Sequence, residues 1–591
     1  MFVAVVRALC VASIVSGASA SSWSQQGKLT ASDANAEDFF GASVSVSGDY
    51  AVVGAYGDDD DGAKSGSAYV FKWDGTTWSE KEKLKASDAA AGDSFGRNVS
   101  ISGDYAIVGA YGDGDDKGSA YIFKRDGANW AQHQKLTASD ADSGDKFGSS
   151  VSISGDYAVV GAHGNSDAGG NSGSAYVFVR SGATWTEKQK LTASDAAPGD
   201  EFGSSVSISG DFVVVGAHGN DDQGEMRGSA YVFKGDGASW SEKQKLTASD
   251  ADKYDYFGSS VSISGDYVVV GAHGNDDGGG NSGSAYVFKW DGATWSQQQK
   301  LTASDAAANA IFGRTVSISG DYVVVGAYGD GDGVLTKSGS AYVFVRSGGA
   351  WSQKEKLTAS DADDGDYFGS SVSVSADHAM VGAYYNGDGG TGSGSAYIFV
   401  MLCDASAAPA NGGAGTCTSS LASGSTCQPT CNSGYTVSGP SSCSAGTLTA
   451  ATCSANACDA STAPTNGGVG DCTSSLASGS TCQPTCNSGY TVSGTSSCSA
   501  GTLSAATCDV PSPSPPPSPP PSPPPSPSPP PSPPPSPSPP PRPPSPVAAS
   551  TASTPPQALS SPVPSPASRP RALVLLATTA AALVVSSCIT V

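Results

Sequence analysis

The chain has 591 residues and a formal charge of −24, from 55 acidic and 31 basic side chains. That balance excludes nucleic acid as a partner, because phosphates call for a basic surface, and it favours cations or basic partners. The length exceeds one ordinary core, and 75 Gly with 37 Pro, the Pro gathered toward one end, mark a mosaic of domains.

Residues 1–20, MFVAVVRALCVASIVSGASA, read as a secretory signal: apolar, carrying Arg7, and ending on Ala18-Ser19-Ala20, a small-residue cleavage pattern. The cysteines agree with export. Of 14, Cys10 lies in the signal and Cys588 near the end, and the other twelve fall between Cys403 and Cys508. That density is expected of disulfides in an oxidising compartment.

From residue 21 to 402 one unit recurs every 52 to 56 residues. Its Phe-Gly pairs start at Phe40, Phe95, Phe147, Phe202, Phe257, Phe312 and Phe368, and its Gly-Ala pairs at Gly54, Gly109, Gly161, Gly216, Gly271, Gly326 and Gly382. The unit FGSSVSISGDYVVVGA…GSAYVFKWDGATWSQQQKLTAS predicts four strands. SSVSIS alternates with period two, DYVVVGA is apolar throughout as in a doubly buried strand, and Gly265-Asp266 suits a tight hairpin. Seven four-stranded units predict an all-β, seven-bladed propeller. WSQQGKLT (23–30) precedes the first unit as an orphan fourth strand, and the last unit stops after its third, so the two complete one blade and close the ring. Closure removes an exposed edge, which a solenoid would leave.

These units resemble the FG-GAP repeat of integrin α-subunits and their bacterial and algal relatives. The resemblance implies an extracellular propeller used for recognition and adhesion. Two departures stand out. Tyr or His follows Gly-Ala where the family signature has Pro, and the integrin calcium loop between the first two strands is replaced by Ser-Gly-Asp-Tyr.

Up-and-down strand order puts the second-to-third loops and the inter-blade segments on one face. The loops carry Asp58, Asp59, Asp60 and Asp61; Asp113, Asp115 and Asp116; Asp167; Asp221, Asp222 and Glu225; Asp276 and Asp277; Asp330 and Asp332; and Asp388. The inter-blade segments, S-D-A-x-x-x-D-x-F-G, add Asp33 with Asp38, Asp88 with Asp93, Asp195 with Asp200 and Asp250 with Asp255, while Asp305 faces Ala310. This acidic face is the candidate ligand site. Asp, Asn and loop carbonyls also supply the six to eight oxygens that Ca²⁺ takes, although no loop fits the EF-hand pattern. The plainer reading is that Asp, Asn and Gly form soluble turns, and for the S-D-A pairs it is turn capping. His163, His218 and His273 hold a position that Tyr holds in the other four blades, so they read as an aromatic position rather than metal ligands. Repeat-equivalent carboxylates supply no distinct acid and base, so recognition is preferred over a polysaccharide hydrolase or lyase. A purely structural wall glycoprotein is the remaining alternative. Asn98-Val99-Ser100 is a glycosylation sequon placed on a predicted strand.

Two near-identical Cys-rich units follow, at 403–457 and 458–508, each with six cysteines. Six cysteines allow fifteen pairings, so spacing alone leaves connectivity open. The stretch CNSGYTVSGPSSCSAGTL resembles a sushi module. That resemblance implies Cys403–Cys443 and Cys431–Cys453, with Cys417–Cys427 as an extra bridge, and in the second copy Cys458–Cys498, Cys486–Cys508 and Cys472–Cys482. Leu448 and Leu503 stand where sushi modules usually have Trp.

Residues 509–571 form a Pro-rich stalk. The 36 residues of SPPP-type sequence from 511 to 546 extend on the order of 110 Å as polyproline II. The Ser-Pro-Pro-Pro pattern resembles hydroxyproline-rich wall glycoproteins of plants and green algae. The tail 572–591, ALVLLATTAAALVVSSCITV, follows small residues and a spacer, as a GPI signal does; a single membrane helix is the alternative. Signal, propeller, disulfide units, stalk and anchor together predict a cell-surface recognition protein binding a protein or glycan.

Overall fold

The computed structural model describes residues 22–222, 225–331, 336–514 and 516. The signal, nearly all of the stalk, the tail and Asp332 lie outside the described residues. Among the described residues no helix is long and apolar enough to cross a membrane.

Seven antiparallel sheets follow one another along the chain as blades. Blade five shows the plan: Phe257–Ser264, Tyr267–Ala272, Ser284–Trp290 and Trp295–Leu301. The second and third strands are buried on both faces over their apolar runs, and the fourth is exposed at alternate positions. Blade seven is assembled from both ends of the ring. Ser22–Leu29 pairs with Ser395–Cys403, which pairs with His378–Ala383 and then Phe368–Val374. Trp23 faces Met401 and Leu29 faces Ala396 across this closure. One departure from all-strand structure is a single turn, Asp113–Asp116, in the acidic loop of blade two, with left-handed backbone at Gly114, Asp115 and Asp116.

The recurrent motifs are explained at the seams between blades. Each Phe of Phe-Gly forms a parallel bridge to a glycine of the preceding blade, as Phe257 does with Gly228, and Phe40 does with Gly394 where the ring closes. Phe40 is fully buried. The following Gly41 has φ +90°, and a Cβ there would lie 2.2 Å from the Ser395 carbonyl oxygen. Gly382 in turn abuts Gly41, with a Cβ meeting its carbonyl oxygen at 2.0 Å. Phe-Gly of one blade therefore seats on Gly-Ala of its neighbour. The seams fill with apolar side chains; at closure Leu29, Met380 and Ile398 pack with Val44, Val53 and Tyr69.

The polar half of the SSVSIS alternation also serves assembly. On each first strand at least one serine accepts a hydrogen bond from a backbone N–H of the next blade. Ser45 accepts from Ile101, Ser100 from Ile153, Ser152 from Ile208 and Ser207 from Ile263. Ser262 accepts from Ile318, Ser317 from Val374, and Ser373 from Val46, which completes the circle. These bonds satisfy N–H groups that have no ladder partner at the channel wall.

The disulfide units continue directly from blade seven. Strand Ser395–Cys403 runs through residue 402, so no linker separates propeller and first unit; Leu402 and Cys403 pair with Ala422 and Leu421. Asp377, in the blade-seven turn that replaces Gly-Asp, accepts hydrogen bonds from Ser423 Oγ at 2.5 Å and Ala445 N at 2.7 Å. The bridges are Cys403–Cys443, Cys417–Cys427, Cys431–Cys453, Cys458–Cys498, Cys472–Cys482 and Cys486–Cys508. The second unit joins the first where Gly501 N donates to Asn456 O.

Candidate functional site

The loops after the second strands and the inter-blade segments meet on one face. Backbone bonds such as Gly92 N to Ala63 O and Ser94 N to Lys64 O tie them together. The structure pairs most of the acidic candidates with lysine, although Asp167, Asp277 and Asp388 stay largely exposed. In every blade the Lys of K-L-x-A-S-D, on the fourth strand, reaches back between a loop carboxylate and an inter-blade carboxylate. Lys83 contacts Asp33 at 2.6 Å, Asp58 at 2.8 Å and Asp60 at 2.7 Å. Lys135 joins Asp88 and Asp113, Lys190 joins Asp140 and Asp167, and Lys245 joins Asp195 and Asp222. Lys300 joins Asp250 and Asp277, Lys356 joins Asp305 and Asp330, and Lys28 joins Asp361 and Asp388. Each ammonium also lies over the ring of the Tyr in SAYVF or SAYIF, at 5.3–5.4 Å. Burial opposes the charge on Lys83, but hydrogen bonds to Asp33, Asp58 and Asp60 raise its pKa overall.

This donor set does not fit calcium. In blade one the oxygens of Asp33, Asp58 and Asp60 lie within 4.8 Å of one another, as ligands of one ion would. Lys83 occupies that space, and a divalent ion there meets a fixed positive charge. The remaining candidates act locally. Asp59 accepts from Lys64 N at 2.6 Å and Asp276 from Asn281 N at 2.7 Å. Asp115 and Asp221 are exposed. The second Asp of S-D-A-x-x-x-D caps its own turn: Asp38 accepts from Asn35 N and Asp93 from Ala90 N. Burial pushes Asp38 up to about 6.

The channel mouth at the centre of this face was missed in the sequence reading. A cavity of about 710 Å³ opens there. Three residue positions of the repeat lie at or beside it; of the first, only Lys146 and Glu201 line the cavity itself. The x of D-x-F-G is Phe39, Ser94, Lys146, Glu201, Tyr256, Ile311 and Tyr367, and every one has φ between 54° and 59°. Left-handed backbone is disfavoured for residues with a Cβ, most of all for a β-branched one such as Ile311. The residue after Gly-Ala is Tyr56, Tyr111, His163, His218, His273, Tyr328 and Tyr384. The residue after Phe-Gly is small or serine except for Arg97 and Arg314.

Around the mouth Phe39 stacks on Tyr56 at 5.2 Å, Tyr256 on His273 at 5.0 Å and Tyr367 on Tyr384 at 5.6 Å. Arg97 lies 4.7 Å over the Tyr56 ring. His218 Nε2 is 3.3 Å from Glu201, and its Nδ1 is 3.0 Å from Ser204 Oγ. Burial pushes His163 and His218 down to about 4 and His273 to about 3, with Lys146 adding to the shift at His163 and Arg314 at the other two. The three imidazoles are thus neutral near pH 7, and among the described residues they do not gather as a metal-ligand cluster. Asn98 lies in the channel wall, where its Nδ2 donates to Ser149 O at 2.5 Å. A glycan at Asn98 would break this bond and fill the channel, which argues against the sequon.

The FG-GAP repeat family matches residues 23–71, 78–123, 130–178, 185–233, 240–288, 295–344 and 351–399. Each match opens on the Trp of one fourth strand and ends on the Phe of the next third strand. The family unit therefore straddles two blades, in the same phase as the ring closure. No curated protein matches the chain. FG-GAP repeats and disulfides are typical of extracellular proteins. With more than half of its length matched, the chain belongs to the FG-GAP repeat family.

Proposed function

We propose that the protein is an extracellular recognition component that binds a protein or glycan through the loop face of its propeller, with lysine in place of calcium at the rim. The observation that carries this reading is the hub cavity, where Arg97, Lys146, Glu201 and Arg314 break an otherwise repetitive wall of Ser and Val. The large apolar side chains left exposed on the propeller support it: Met226, Tyr254 and Tyr385 all lie on the loop face. Solvent-facing aromatics beside a cavity are characteristic of binding surfaces. The disulfide units, stalk and tail would hold this head away from a membrane, as a GPI-anchored or single-pass surface glycoprotein. Screening the full-length protein against glycan and protein arrays, in Ca²⁺ and in EGTA, tests the reading. Binding of a defined ligand in both conditions is expected. No ligand in either, or binding abolished by EGTA, overturns it.

A further inference from the structure

Building on the reading that the loop face binds a ligand, we propose that the hub is a site for the carboxylate or sulfate group of an acidic saccharide, held by Arg314 and Arg97. The cavity wall carries Arg97, Lys146 and Arg314 against the single carboxylate of Glu201, in a chain whose net charge is −24. A locally positive funnel in an acidic protein concentrates anions there.

Arg314 is the sharpest observation. The ring of blades encloses it almost completely, and it keeps only partial exposure along the channel. Among the described residues no carboxylate pairs with it. The groups that act on its charge are Arg97, which repels it, and Tyr328 and Tyr384; burial lowers its pKa. An enclosed charge without a counter-charge is destabilising, and the scaffold does not require one. The equivalent residue is Ala42, Ser149, Ser204, Ser259 or Ser370 in five other blades. The planar guanidinium presents paired donors that match a carboxylate or sulfate.

The surroundings favour a saccharide over an acidic peptide. The stacked pairs Phe39–Tyr56 and Tyr367–Tyr384 offer flat apolar faces beside the arginines. The first strands offer no edge to a peptide backbone, because neighbouring-blade serines already take N–H groups such as those of Ile101 and Ile318.

The test is calorimetric titration of the full-length protein with five probes. They are trigalacturonate, a sulfated galacto-oligosaccharide, the neutral galacto-oligosaccharide of equal length, hexaglutamate and inorganic sulfate. At least one acidic saccharide should bind, and roughly tenfold or more of its affinity should be lost in Arg314→Gln and again in Arg97→Gln, as expected for one charged hydrogen-bonded contact. The neutral sugar should not bind. Arg314→Lys, which keeps the charge but not the fork, should fall between. Arg314→Gln should melt no lower than the parent, so lost binding is not lost folding. Equal binding of the neutral sugar, unchanged affinity in both glutamine variants, or no acidic saccharide bound overturns the proposal. So does hexaglutamate or sulfate alone binding as tightly. An array ligand that survives both substitutions would sink the hub site and leave loop-face recognition standing; blank arrays and blank titrations would sink both.

Discussion

The rim and the hub of the loop face are built from the same seven repeats and treat them in opposite ways. At the rim, one arrangement is copied seven times: a lysine from the fourth strand, a loop carboxylate, an inter-blade carboxylate and a tyrosine ring. At the hub, the D-x-F-G position carries six residue types in seven blades, all on left-handed backbone. Agreement among copies marks what the ring needs to close. Divergence at a strained position marks where side chains are held for something other than folding.

The comparison breaks first if the seams are not equivalent. Phe257→Ala, within the chain, and Phe40→Ala, at the closure, should each cost about 3–5 kcal/mol, since both phenylalanines are fully buried against a neighbouring blade. Denaturant unfolding of the two variants checks this. A closure variant much milder than the internal one would mean that the ring is not sealed as tightly at Phe40 and Gly394. Hub exchanges such as Lys146→Ser or Glu201→Ser, toward the Ser94 of blade two, should by contrast stay within about 1 kcal/mol.

The seam was legible in the sequence and the hub was not, for a physical reason. Phe-Gly and Gly-Ala recur because a buried ring and two close backbone approaches admit few alternatives, so counting them yields seven blades and the orphan strand yields closure. The acidic loops were visible for the same cause. Their lysine was equally regular, in every K-L-x-A-S-D, but Lys83 lies 25 residues from Asp58 and 50 from Asp33. Only the sheet brings them together. The hub residues sat directly beside the motifs: the D-x-F-G position varied among copies, and the Tyr or His after Gly-Ala was visible only as an aromatic position. Asking what varies between near-identical repeats would have found them; asking what recurs passes over them.

A smaller effect sharpens the rim. If the lysine stands where a cation would, the parent protein should melt at the same temperature in Ca²⁺ and in EGTA. Lys83→Ala leaves Asp33, Asp58 and Asp60 facing one another. It should cost about 1–2 kcal/mol, because the carboxylates are unevenly exposed and partly screened. It should also acquire a rise in melting temperature with Ca²⁺ that the parent lacks. A parent protein stabilised by Ca²⁺ would show that the loops bind the ion despite the lysine, and the contrast between a closed rim and an open hub would fail.

The smallest effect isolates the hub by pH. His163, His218 and His273 have folded pKa values of about 4, 4 and 3, below the ordinary 6.5. As pH falls below 6.5 the unfolded chain takes up protons that the folded chain refuses, so stability drops through the window from about 6.5 toward 4. Lys146, Arg314 and Glu201 are the charged groups beside these rings. Asp38 acts with the opposite sign: its pKa is raised to about 6, so its penalty is relieved as pH falls from there toward 3.8. One stability curve mixes the two, and a difference curve separates them. The variant His163→Tyr/His218→Tyr/His273→Tyr places in three blades the residue that Tyr56, Tyr111, Tyr328 and Tyr384 already supply in the others. Asp38 is common to both proteins and cancels. The two melting temperatures should run parallel above about pH 7 and diverge on acidification, with the tyrosine variant the more stable. A gap that stays constant down to about pH 4 would mean that the three imidazoles are not held neutral in the ring, and that the hub is wetter and less enclosed than its packing implies.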